Sequence, residues 1–229
     1  MSDLSNIWMF IGVCFATYFF VSLVYKKLGI NNLQTALMSA NGLRLLNLKH
    51  LLGIVLFGVL SYIQTPELNY LVKSLEIAKL HTLIPFFIVV FLSVFASQSS
   101  IKRQEGLNET EINHYNFSNA WVYFSIRFAF LFCYEYFFRG VILFMFLDIF
   151  SLPVAIFYST ILYVLIHIFD SKKEIIGAIP FGIILCLFTY LTDSVWYAFL
   201  IHLALSATYE ISMFYYVTFK HKTIKNEKV

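Results

Sequence analysis

The stretch CYEYFFRG, residues 133–140, sets Glu135 and Arg139 into a run from Asn119 to Phe150 that is otherwise almost wholly apolar. Their i, i+4 spacing puts both on one helix face, where each neutralises the other. Such a pair reads equally well as a structural tie between two turns or two helices. Two histidines in other apolar runs widen the choice: His167, in YVLIH (163–167), and His202, in HLALS (202–206). Ionisable groups in hydrocarbon are costly, so their positions are informative. A lone intramembrane histidine is more often a hydrogen-bonded packing residue than a catalyst. A glutamate and two histidines brought together from three helices, however, are the minimum set for activating water. The glutamate would act as general base and the histidines would steady an oxyanion, or the three would form a His-His-Glu zinc site.

His202, Ser206 and Glu210 follow one another at intervals of four, which on a helix makes a polar stripe that should face inward. Glu210 is a candidate substitute acid on that spacing. Arg127, eight residues before Glu135 and on nearly the same face, reads either as a second partner for that carboxylate or as a side chain snorkelling to the interface.

The elements that must position these groups are membrane spans. Of the 229 residues 60% are hydrophobic, 19% aromatic and only 13% charged, a profile outside that of soluble domains and typical of a polytopic membrane protein. Spans of about 20 apolar residues are predicted at 6–25, 45–63, 80–97, 119–147, 153–169, 175–191 and 195–218. The expected fold is an all-α transmembrane bundle of about seven spans (six to eight), in one domain over 1–229. With the N-terminus outside and the C-terminus inside, twelve Lys and Arg fall on the inner side (26, 27, 44, 49, 102, 103, 172, 173, 220, 222, 225 and 228). Only Lys73 and Lys79 fall outside, as the positive-inside rule requires. Trp8, Trp121 and Trp196 lie near span ends, as interfacial tryptophans do.

The net charge of +3 is too small and too loop-bound to indicate nucleic acid as a partner. Cys14, Cys133 and Cys186 show no disulfide or metal spacing and read as packing residues. The start MSDLSN lacks the basic n-region of a signal peptide and reads as part of a retained first span. Asn108-Glu109-Thr110 fits a glycosylation sequon by chance, on the inner side. There are no paired halves of the kind that mark a transporter.

YEYFFRG, then His167 of YVLIH, then HLALS resemble the three motifs of the CPBP family, the CAAX proteases and bacteriocin-processing enzymes, also called Abi. The family pattern is EExxxR, FxxxH and HxxxN or HxxxD, each on a different span, and the likeness covers about 119–210. The resemblance implies a multi-span bundle with a site inside the membrane. It also implies an endopeptidase that cuts membrane-associated peptides or prenylated tails by glutamate-dependent hydrolysis, with no cofactor and without bound metal. Carried over, Glu135 matches the second Glu, Arg139 the supporting Arg, His167 and His202 the two histidines, and Ser206 the last position of the third motif. These five are the expected site residues.

The departures are Tyr134 for the first Glu, Tyr163 for the motif-two aromatic and Ser206 for Asn or Asp. A phenol, with a reference pKa of about 10, is a poor base at neutral pH. Glu135 points about 100° away from Tyr134 around a helix, and pairing with Arg139 weakens it as a base. A serine hydroxyl can still donate to water or an oxyanion. The alternative function is therefore a catalytically impaired relative that binds, regulates or confers bacteriocin immunity.

Either reading has a membrane-embedded or membrane-associated peptide or protein as partner and the lipid bilayer as surroundings. The small, Phe-, Tyr-, Ile- and Lys-rich chain points to a bacterial cytoplasmic membrane as its location. At a rise of ~1.5 Å per residue, His202 lies ~10 Å and His167 ~20 Å from the outer ends of their spans, so straight, level helices would leave the two imidazoles at different depths.

Overall fold

A computed structural model describes residues 2–39, 41–74, 77–102 and 120–215. Seven helices are long and apolar enough to cross a membrane: α1 (Ser5–Lys27), α2 (Gly42–Gln64), α3 (Leu80–Ile101), α4 (Ala120–Leu147), α5 (Leu152–Phe169), α6 (Lys172–Thr192) and α7 (Val195–Tyr215). They fall on the seven predicted spans, with ends differing by about a turn, and no strand occurs among the described residues. The sequon, Arg103 and the C-terminal lysines lie outside the described residues.

Local signals set several boundaries. α1 stops at Gly29, whose φ of 71° suits a residue without a Cβ; there the Ile30 N–H returns to the Tyr25 carbonyl at 3.0 Å. α6 starts with a reciprocal cap. The Glu174 N–H donates to Ser171 Oγ at 3.3 Å, and the Ser171 N–H donates to Glu174 Oε2 at 2.8 Å.

α4 is the central helix. Of its most apolar stretch 72% is buried within the protein, against 22–39% for the other spans, which turn much of their surface to lipid. α2 lies close against it because glycines face its side chains. A Cβ on Gly53 would strike the Phe130 ring, and one on Gly58 would strike Cys133 Sγ. Cys14, Cys133 and Cys186 are all free thiols; Cys14 and Cys186 are buried, in keeping with packing roles. α3 packs on α7 through buried Ser93 and Ser97, and Ser97 Oγ donates to the Leu205 carbonyl at 2.6 Å.

Two stretches widen to π-helix, Ile54–Leu60 in α2 and Tyr136–Ile142 in α4. Each is supported by a serine: Ser61 Oγ donates to the Leu56 carbonyl at 3.1 Å, and Ser159 Oγ donates to the Phe138 carbonyl at 2.9 Å. The second begins directly after Glu135, and such segments often mark functional sites.

Ring and backbone contacts define the two ends of the bundle. At one, Trp8 of α1 packs on Phe146 of α4, with centroids 5.0 Å apart. At the other, Lys26 Nζ donates to the Phe169 carbonyl at 2.8 Å, and Phe124 meets Phe214 at 5.8 Å. Between α2 and α3, residues 65–74 fold into the first end as two short helical turns, Pro66–Leu68 and Tyr70–Lys73. Thr65 and Leu71 are fully buried there. This segment covers the start of α7: Ser194 Oγ donates to the Ser74 carbonyl and Trp196 Nε1 to the Val72 carbonyl, both at 2.7 Å.

Candidate active site

The middle of α4, where α-helix passes into the π-widened segment, carries Tyr134, Glu135 and Arg139 into the centre of the protein. Glu135 and Arg139 are both wholly buried, and Arg139 Nε lies 3.3 Å from Glu135 Oε2. The guanidinium carbon also lies over the Tyr163 ring of α5, 4.0 Å from its centroid, a cation–π contact. The second aromatic departure from the family pattern thus has a place in the site: it backs the arginine that holds the glutamate.

The other carboxylate oxygen reaches a different helix. His202 Nδ1 of α7 donates to Glu135 Oε1 at 2.5 Å, and His202 is itself buried. Because Nδ1–H is given to the carboxylate, Nε2 is left with the lone pair. His167, in the last turn of α5, repeats the arrangement with a partner that sequence reasoning missed. Its Nδ1 stands 2.8 Å from Asp170 Oδ2, while its buried Nε2 has no hydrogen-bond partner. The signal for Asp170 was present in the i, i+3 order His-x-x-Asp at the end of a span.

Both imidazoles meet at Tyr134. Its ring centroid is 6.4 Å from that of His167, 6.3 Å from that of His202 and 5.8 Å from that of Tyr163. Its hydroxyl is buried and unpartnered. The two imidazoles, expected at different depths on straight, level helices, thus come together at one ring. Segment 65–74 covers the start of α7, where Ser194 and Val195 are buried.

The polar stripe on α7 faces inward as expected, with His202, Ser206 and Glu210 each no more than 9% exposed. Ser206 sits one turn beyond His202 on the same face. Glu210, in contrast, belongs to a separate cluster. Its Oε1 accepts from Arg127 Nε and its Oε2 from the Tyr123 hydroxyl, each at 2.8 Å. Both sequence readings of Arg127, as a partner of Glu135 or as a snorkelling side chain, are thereby corrected: a carboxylate 83 residues away takes the charge. Glu210 is equally engaged and is not aimed at the histidines as a substitute acid.

No group of three His, Cys, Asp or Glu side chains arranged for a metal ion is found among the described residues.

Seven apolar helices enclosing a paired Glu and Arg, with an imidazole from each of two further helices, define a multi-pass membrane protein with a polar centre inside its bundle. Residues 116–208, which supply that whole centre, match the family model described as Rce1-like, type II CAAX prenyl endopeptidase Rce1-like. α1, α2 and α3 lie outside the match. Neither the curated proteins nor the solved structures give a significant match to the chain.

Proposed function

We propose that the protein is an intramembrane endopeptidase that hydrolyses a membrane-associated peptide or protein. It would sit in a bacterial cytoplasmic membrane with its N-terminus outside. The observation that carries this reading is the 2.5 Å bond from His202 Nδ1 to Glu135 Oε1. A carboxylate on Nδ1 fixes the tautomer in which Nε2 is basic and stabilises the imidazolium that forms when Nε2 takes a proton from water. Arg139 holds the carboxylate in place. His167, fixed the same way by Asp170, offers Nε2 as a second acceptor to orient the water. Ser206 presents a hydroxyl one turn along from the base.

The test is mass spectrometry of membrane and secreted peptides from host cells carrying the intact gene, a deletion, or the His167→Ala, His202→Ala double variant. A discrete cleaved peptide should disappear in both the deletion and the double variant. Its persistence in the double variant would overturn the reading.

Tyr134, in place of the family's first glutamate, favours a second reading, in which the bundle binds a partner without cutting it, as in regulation or bacteriocin immunity. In that case the deletion has a phenotype and the double variant behaves as wild type.

A further inference from the structure

We propose that the Tyr134 hydroxyl is a catalytic residue of this chain, the hydrogen-bond donor that stabilises the oxyanion formed when water attacks the scissile carbonyl. The proposal rests on the endopeptidase reading and adds an oxyanion donor to it.

Hydrolysis of an amide needs acceptors for the protons of the attacking water and a donor for the charge that develops on the carbonyl oxygen. Here both imidazoles give Nδ1–H to a carboxylate, His202 to Glu135 and His167 to Asp170. In their neutral forms both therefore present lone pairs at Nε2. Two acceptors are in place, and neither neutral imidazole is a donor toward substrate.

Arg139 Nη1 and Nη2 are also buried without a hydrogen-bond partner, but its Nε faces Glu135 and its guanidinium is packed over the Tyr163 ring. What sets Tyr134 apart is its place against both imidazoles. It is 3% exposed, its ring touches those of both histidines, and its hydroxyl is buried without a hydrogen-bond partner. An unpaired buried hydroxyl destabilises the folded protein, a cost that substrate binding removes when the carbonyl oxygen accepts from it.

The ring is also held in place on several sides. Phe138 packs on it at 4.6 Å, Phe130 at 5.6 Å and Phe57 at 5.9 Å. A donor fixed before the reaction is worth most in a site that excludes water. A phenol with a reference pKa of about 10 keeps its proton at neutral pH, so the property that makes tyrosine a poor replacement for a basic glutamate suits it to this task.

In the step, the water oxygen forms a bond to the carbonyl carbon while the C=O π pair moves onto oxygen, and one water proton passes to His202 Nε2. Tyr134 donates a hydrogen bond to the new oxyanion and retains its proton. On collapse the C=O bond re-forms, the C–N bond breaks, and the proton on Nε2 is delivered to the departing nitrogen.

The experiment follows formation of the host-cell cleavage product over time for full-length wild type, Tyr134→Phe, Tyr134→Gln, Tyr134→Glu and His202→Ala. Protein amount and detergent melting temperature are measured for each. Tyr134→Phe keeps the ring and should slow product formation about 10²- to 10³-fold, the effect of losing one oxyanion donor, with melting unchanged or raised. Tyr134→Gln, which supplies an N–H, should recover part of the rate, and Tyr134→Glu, which at neutral pH only accepts, should not. Wild-type rates for Tyr134→Phe with His202→Ala inactive would overturn the role of Tyr134 and leave the endopeptidase reading standing. A rate for Tyr134→Glu above wild type would also overturn it, by showing that the position calls for a base. Wild-type product from His202→Ala would overturn both.

Discussion

Glu135 and His202 are 67 residues apart in sequence and 2.5 Å apart in space, carboxylate oxygen to imidazole Nδ1. This bond joins α4 to α7 at the centre of the bundle. The same carboxylate is tied on its other side to Arg139, one turn along its own helix. A buried anion shared between a cation and an imidazole is held in one orientation, which is what a proton-transfer group requires.

Arg139→Met should be strongly destabilising. It leaves Glu135 as a wholly buried charge with only an imidazole beside it, and breaking a buried pair costs about 3–5 kcal/mol. Unfolding in mixed detergent should show that loss, and Glu135→Gln combined with Arg139→Met should recover much of it. Wild-type stability for Arg139→Met alone would show that the pair is not what holds this site.

Glu210→Gln separates the two polar clusters. The substitution strips the charge partner from Arg127 and one acceptor from Tyr123, so melting should fall. The cleavage product per folded molecule should stay at the wild-type level, because Glu210 does not touch the histidines. A rate loss without a stability loss would restore Glu210 as a reacting acid.

Asp170→Asn tests the tautomer of His167. The amide matches the carboxylate in shape but carries no charge and can turn its N–H toward Nδ1, which moves the imidazole proton to Nε2. Product formation should fall about 10²-fold, the lower end of the range by which positioned acid–base groups act, while melting changes little. An unchanged rate would remove Asp170 from the site.

Gly58→Ala should disturb α2 against α4, because the added methyl would run into Cys133 Sγ. Overpacking of this kind costs about 1–3 kcal/mol, and Cys133→Ala in the same chain should return part of it. Equal stability of Gly58→Ala and wild type would mean that the two helices separate without cost.

The seven spans were legible because a bilayer demands long apolar helices, and polar residues within them stand out. Glu135 with Arg139 was readable for the same reason as any i, i+4 pair: the spacing alone puts the two side chains together. The Arg127–Glu210 pair was not, since both groups are far apart in the chain and only the packing of α4 on α7 selects the partner. The cover that residues 65–74 form over the start of α7 was not legible, since their polar, loop-like sequence gave no sign of it. Asp170 was visible in sequence but stood just past a span, among residues read only as a connection. Tyr134 was noticed as a loss; its position against both imidazoles gives it a use that sequence alone did not suggest.

The most direct test of the central claim is the rate of host-peptide cleavage by Glu135→Gln at matched levels of folded protein. The amide fills the same space beside His202 and Arg139 but cannot stabilise an imidazolium on Nδ1. The account predicts a loss of about 10³-fold or more, within the range for removing a carboxylate from an imidazole base. Cleavage at the wild-type rate would contradict it.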